Sequence, residues 1–226
     1  LLLDCGNTRL KWAVSGSNAT TSGQSPIIRR GVCDYEPAAL SALCASLNNA
    51  SIKSLLFASV ISQEQERVIF AQLQPLGLVP QRFAVGDQSS QLLNAYGSPE
   101  TLGVDRWAAA IGAWGLIGRS CLIVAAGTAT TIDVIQASSD GSHAVYRGGL
   151  ILPGIDLMLQ SLHQRAARLP RAEGHYRAAP DIADNTHDAI TSGAIEATCG
   201  AIERMGSRLP ADATWLLTGG NASILQ

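Results

Sequence analysis

The sequence predicts an α/β fold in which two similar halves follow one another along the chain. Three observations carry that expectation. An apolar strand running into a glycine turn occurs twice, as Leu1-Leu2-Leu3-Asp4-Cys5-Gly6 and as Leu122-Ile123-Val124-Ala125-Ala126-Gly127, and Gly127 lies 121 residues after Gly6. The offset is about half of the 226 residues, as a duplicated domain would give. Short apolar runs also alternate with stretches of helical spacing. At ~100–200 residues per domain, the length admits one large domain or two small ones. The expected division is an N-terminal domain of residues 1–120 and a C-terminal domain of residues 121–226.

Leu1 to Val14 reads as strand, tight turn at Gly6-Asn7, and strand, because Leu10, Trp12 and Val14 alternate with Arg9 and Lys11. The Gly- and Ser-rich stretch from Ser15 to Ser25 reads as a hairpin tip. Helical spacing follows over Pro37–Leu47, then a short apolar strand over Ser54–Ile61. Gln63–Leu76 is a helix stopped by Gly77, and Val79–Val85 is another strand. Ser98-Pro99-Glu100 signals a helix start, with Ser as cap and Pro in the first position. That helix continues through Arg106, Ala110 and Trp114 to about Gly118, with Trp107 and Trp114 in the core. Cys121 to Ile135 repeats the strand, turn and strand. Helices are expected over Ile155–Arg168 and Thr186–Leu209, and a last strand, Thr214–Leu217, runs into Gly219-Gly220.

Hydrophobic residues make up 46% and charged residues 15%, which excludes an intrinsically disordered chain. The net charge of -2 and a pI near 6.1 give no basic field for nucleic acid. The longest apolar tract, Ala108 to Gly118, is shorter than the ~18–20 residues of a membrane span. Leu1-Leu2-Leu3 meets Asp4 too early for a secretory signal. The five cysteines show no metal spacing and read as reduced thiols, so a cytoplasmic protein is expected. The start without Met, and the end shortly after Gly220, lead to the expectation of further segments at both termini.

Glycine turns after apolar strands let backbone N–H groups approach an anion. Asn7, Thr8, Thr128 and Thr130 add side-chain donors, and Lys11 can reach a phosphate as a point charge. Asp4 ends a buried strand, so its charge needs a partner or a metal. Mg²⁺ suits it, since that ion takes one or two carboxylates plus substrate phosphates. Asp105 can accept a hydroxyl proton from the first turn of a helix, or merely complement the helix dipole. Arg106 either binds a carboxylate bidentately or is solvated. Asp133 and Asp156 read as turn and helix-start residues. No G-x-x-x-x-G-K-[ST] or G-x-G-x-x-G motif is present.

In order, Asp4-x-Gly6-Asn7-Thr8-x-x-Lys11, Gly103-x-Asp105-Arg106, Gly127-Thr128-Ala129-Thr130-Thr131-x-Asp133, Gly148-Gly149-x-Ile151-x-Pro153-Gly154, Asn185-Thr186 and Gly219-Gly220 occur along nearly the whole chain. This set resembles the type III pantothenate kinases, also called the Bvg accessory factor family. The resemblance implies two RNase H-like (actin-like ATPase) domains with mixed sheets flanked by helices and a nucleotide cleft between them. It implies transfer of the ATP γ-phosphoryl group to the 4′-hydroxyl of pantothenate, the first step toward coenzyme A, with Mg²⁺ as the companion ion. ATP-binding residues would be Asp4, Cys5, Gly6, Asn7, Thr8, Arg9, Leu10, Lys11, Thr128, Gly219 and Gly220. Asp105 would be the general base and Asp4 the second catalytic carboxylate, with a Mg²⁺ role through the phosphates. Tyr96, Gly103, Val104, Asp105, Arg106 and Thr186 would contact pantothenate. The resemblance also implies a homodimer with the substrate site near the interface.

One departure stands out. Ala125 occupies the place where the family carries the Asp that holds a monovalent cation, K⁺ or NH₄⁺. Activity without added K⁺ is therefore expected. Two other readings stay open at this point: a superfamily kinase for another small hydroxyl or carboxylate substrate, and a regulatory accessory protein of the same fold.

Overall fold

An apolar strand that meets a glycine turn pairs with its own continuation, and both expected hairpins form. The computed structural model describes residues 1–16, 26–48, 50–86, 91–165 and 173–226. Its contacts divide the chain into two units, Leu1–Gln88 with Ser98–Ala108, and Ser89–Gly97 with Ala109–Gln226.

In the first unit, β1 (Leu2–Cys5) pairs antiparallel with β2 (Leu10–Ser15), and β2 with β3 (Ile27–Cys33). On its other side β1 pairs parallel with β4 (Leu55–Ser59), and β4 with β5 (Pro80–Arg82), giving the order β3-β2-β1-β4-β5. Most of the expected hairpin tip after Ser15 lies outside the described residues. Two helices, α1 (Pro37–Leu47) and α2 (Gln63–Leu73), accompany the sheet. Ser62 and Gln65 form a reciprocal capping box at the start of α2. Pro75 turns the end of the expected helix into a 3-10 turn, Gln74–Leu76, before Gly77 stops it. Leu3, Leu10, Leu40, Leu47, Leu55 and Ile69 form the core of this unit.

The second unit repeats the pattern. β7 (Cys121–Ala126) pairs antiparallel with β8 (Ala129–Ala137), and β8 with β9 (Ala144–Pro153). β10 (Thr214–Thr218) pairs parallel with β7, as β4 does with β1. The order is β10-β7-β8-β9-β6, where β6 (Leu92–Asn94) pairs parallel with β9. The division expected at residue 120 would place β6 with the first half, yet its sheet is the second. The two hairpins differ by one residue. Four residues separate the paired Cys5 and Leu10, whereas three separate the paired Ala126 and Thr130.

Helix α3 (Val104–Ile117) begins five residues later than the Pro99 signal suggests. Pro99–Thr101 is a separate 3-10 turn, and the Ser98 side chain caps nothing. Trp107 and Trp114 are buried, as expected. Helix α4 spans Ile155–Arg165, and α5 spans Thr186–Gly206, three residues short of the expected Leu209. Asn185 caps α5 by accepting from the Asp188 N–H. All five cysteines are free, and four of them are buried. Among the described residues, no helix is long and apolar enough to cross a membrane.

Candidate active site

The first glycine turn carries a charge pair. Asp4 and Lys11 are register partners across β1 and β2, and Lys11 Nζ lies 3.0 Å from Asp4 Oδ2. The Asp4 side chain is 37% exposed and that of Lys11 63%, so both remain accessible to a ligand. The partner that Asp4 needed is therefore a lysine on the next strand. Cys5 and Leu10 turn their side chains into the core, which leaves their backbone to face the turn. Burial, and then the neighbouring Asp4 charge, push the Cys5 thiol up to about 12, so it is no nucleophile. Asn7, Thr8 and Arg9 are exposed at the tip, where Arg9 lies 3.5 Å from Asp34. The Tyr35 hydroxyl donates a 2.5 Å hydrogen bond to the Gly6 carbonyl and pins the turn from below. Tyr35 carries no local motif, and sequence reasoning passed over it.

Gly103 to Arg106 lie in the same unit as Asp4. Val104 opens α3, and Asp105 is exposed in its first turn, with Oδ1 accepting a 2.8 Å hydrogen bond from the Arg106 N–H. That contact fixes one carboxylate oxygen and lies where the helix dipole favours negative charge. Arg106 is 6% exposed, which corrects the solvated alternative. A guanidinium that deep must be paired, because an uncompensated buried charge is strongly destabilising.

In the second unit three backbone segments meet behind Gly127-Thr128. The Gly154 N–H donates to the Thr128 carbonyl at 2.9 Å, and a Cβ on Gly154 would stand 2.6 Å from that same oxygen. The Asn221 N–H donates to the Ala126 carbonyl at 3.0 Å, just after Gly219 turns at φ 104°. The Asn221 side chain in turn donates to Asp156 Oδ2 at 3.2 Å. The Gly219-Gly220 turn, the start of α4 and the second glycine turn thus form one cluster. Asp156 is a helix-start residue, as expected, whereas Asn221 was missed; a polar residue directly after Gly-Gly was its signal. Ala125, where the resemblance implies a cation-holding Asp, has Thr131 as its register partner.

Thr186, the first residue of α5, is exposed and lines a groove of about 570 Å³ with Met158, Leu162, Ile190 and Gly193. The start of α5 is strapped by a loop. Buried Asp188 accepts from the His175 N–H at 2.8 Å and from Arg177 Nε at 2.7 Å. The His175 amide first, then Arg177 and Asn185, hold its carboxyl down at about 2. Tyr96 is half-buried just after β6, beside Tyr146 and Gly148. Asp133 is not the turn residue expected. It sits mid-strand in β8, 2% exposed, and accepts from the Tyr146 hydroxyl. Among the described residues, no three His, Cys, Asp or Glu side chains cluster as a metal site.

The model of the type III pantothenate kinase family matches residues 1–208. A type III pantothenate kinase of Aromatoleum aromaticum is 41% identical over 229 residues, covering 100% of this chain and 88% of that protein. One from Methylobacillus flagellatus is 37% identical over 233 residues, covering 100% and 86%. Among solved structures, a Baf family protein from Campylobacter jejuni superposes with a TM-score of 0.56 at 20% identity, over 99% of this chain and 85% of that one. That likeness is one of fold. The ordered motifs, the paired hairpin sheets and the match over residues 1–208 lead to one conclusion: the chain belongs to the type III pantothenate kinase family.

Proposed function

We propose that this chain transfers the γ-phosphoryl group of ATP to the 4′-hydroxyl of pantothenate, at the entry to coenzyme A synthesis. Membership of the family is the observation that carries the reading. Phosphoryl transfer asks little covalent chemistry of a protein, so positioning and charge neutralisation supply most of the catalysis. The parts fit these roles. Asp105 takes the hydroxyl proton with the oxygen that the Arg106 N–H does not engage. Lys11, already poised beside Asp4, moves its charge onto a phosphate. Gly6 to Arg9 and Thr128 are the residues for the phosphates, and Gly219-Gly220 those for the adenosine end. Gly103, Val104, Arg106, Tyr96 and Thr186 contact pantothenate.

Mg²⁺ fits the donor set at Asp4, a single exposed carboxylate that leaves the remaining positions to water and phosphate oxygens. Bound there, the ion would neutralise charge on the phosphates. Ala125 leaves no carboxylate for a monovalent cation, so K⁺ is dispensable. The chain works in the cytoplasm as a homodimer. The direct test is ADP release with ATP, Mg²⁺ and pantothenate, with and without K⁺. Release that depends on pantothenate supports the reading; release on a sugar or acetate but not on pantothenate overturns it.

A further inference from the structure

The proposed chemistry gives the buried carboxylate of Asp133 no task. Asp133 accepts a 2.7 Å hydrogen bond from the hydroxyl of Tyr146, whose side chain is fully buried. A charge in that setting is costly unless it is hydrogen-bonded, so the pair is a rigid fixture of the β8–β9 ladder. Its other end reaches Tyr96. The rings of Tyr146 and Tyr96 lie 6.2 Å apart with their planes at 44°. The Ala95 N–H donates to the Tyr146 carbonyl at 3.1 Å, and the Tyr96 N–H to Asn94 Oδ1 at 2.9 Å, so the backbone under Tyr96 is tied to the same strand. Gly148, at φ 88°, leaves space for the ring: a Cβ there would stand 3.3 Å from Tyr96 Cε2. The ladder also shifts register between Val134 and Ile135, opposite this stretch of β9.

We propose that Asp133 and Tyr146 are positioning residues that set the Tyr96 ring for the acceptor substrate and so tune its binding from beneath. This rests on the assignment of Tyr96 to the pantothenate site.

Steady-state kinetics of Tyr146→Phe, Tyr96→Ala and the double variant test it. Tyr146→Phe should raise KM for pantothenate roughly fivefold, the loss of about one hydrogen bond, with kcat and KM for ATP unchanged. On the Tyr96→Ala background the same change should add nothing. Asp133→Asn, which keeps an acceptor oxygen, should retain the wild-type KM, whereas Asp133→Ala should behave like Tyr146→Phe. A KM effect that persists at full size without the Tyr96 ring, or that falls equally on ATP, overturns the proposal. Should Tyr146→Phe not fold, the comparison of Asp133→Asn with Asp133→Ala carries the test; the same pantothenate KM for both overturns it as well. Wild-type protein that turns over no pantothenate at all would instead sink the functional reading beneath it.

Discussion

A methyl group on Gly103 would sit 2.6 Å from Oδ1 of Asp105, inside any tolerable contact. The glycine and the carboxylate therefore share one space at the start of α3, and the carboxylate has its present place because position 103 lacks a side chain. Gly103→Ala should push Asp105 aside. Because small misplacements of a reacting group are costly, kcat should fall roughly tenfold or more while the fold survives. Single-turnover rates with pantothenate, alongside circular dichroism, check this.

Asp105→Asn keeps the size and the hydrogen bond from the Arg106 N–H but cannot take a proton. Turnover should drop by about 10²- to 10⁴-fold, the usual contribution of a general base. Nucleotide binding, followed by calorimetry, should change little. Near-normal turnover would remove Asp105 from the base role.

Lys11→Ala takes away the cation that faces Asp4 across the first turn's ladder. KM for ATP should rise by roughly tenfold, the loss of a charge-assisted hydrogen bond, and Asp4 should lose its neutralising partner. Stability should barely move, because exposed ion pairs contribute little. Equal effects on ATP and pantothenate would argue for a general disturbance of the turn.

Ala125 sits two residues before Gly127 of the second turn, opposite Thr131. The wild type should reach full rate in sodium or Tris buffers without K⁺. Ala125→Asp should introduce a K⁺ response in the same coupled ADP assay. A wild-type enzyme that is inert until K⁺ is added contradicts the assignment.

Asp188 provides a pH signature. Its carboxyl is held at about 2 against an ordinary 3.8, so the folded state favours the charged form. A depressed carboxylate contributes its stabilisation in full above the unfolded value and loses it as pH falls through the folded one. The melting temperatures of wild type and Asp188→Asn should thus differ most near neutral pH and converge between about pH 4 and about pH 2. A gap that holds constant down to pH ~2 would place the worth of Asp188 elsewhere.

The hairpins were legible because an apolar run ended at a glycine turn twice, at Gly6 and again at Gly127, with period-two alternation resuming after the first. The strands that escaped notice lack that signal. β3 begins Ile27-Ile28-Arg29-Arg30, with pairs instead of alternation, and most of it is exposed. β9 carries Gly148-Gly149 through a register shift, and β6 is three residues long. Ser98-Pro99 misplaced a helix start, since the local preference of proline was spent on a 3-10 turn. Residues in short motifs stand out in the sequence, whereas Tyr35 and Asn221 act across long sequence separations that no local pattern records. Asp133 was misjudged because its acceptor role depends on Tyr146, 13 residues further on.

The placement of β6 bears on how the chain is made. Leu92 pairs with Ala144, 52 residues later, and is 3% exposed once the sheet is complete. On the ribosome, then, β6 emerges with no partner, while the segment that completes the first unit, Ser98–Ala108, lies beyond it. The nascent chain must carry an unpaired strand past its first unit for roughly 3–10 s at ordinary elongation rates. A three-residue strand with a polar end, Leu92–Asn94, is the kind least able to find a wrong edge during that wait.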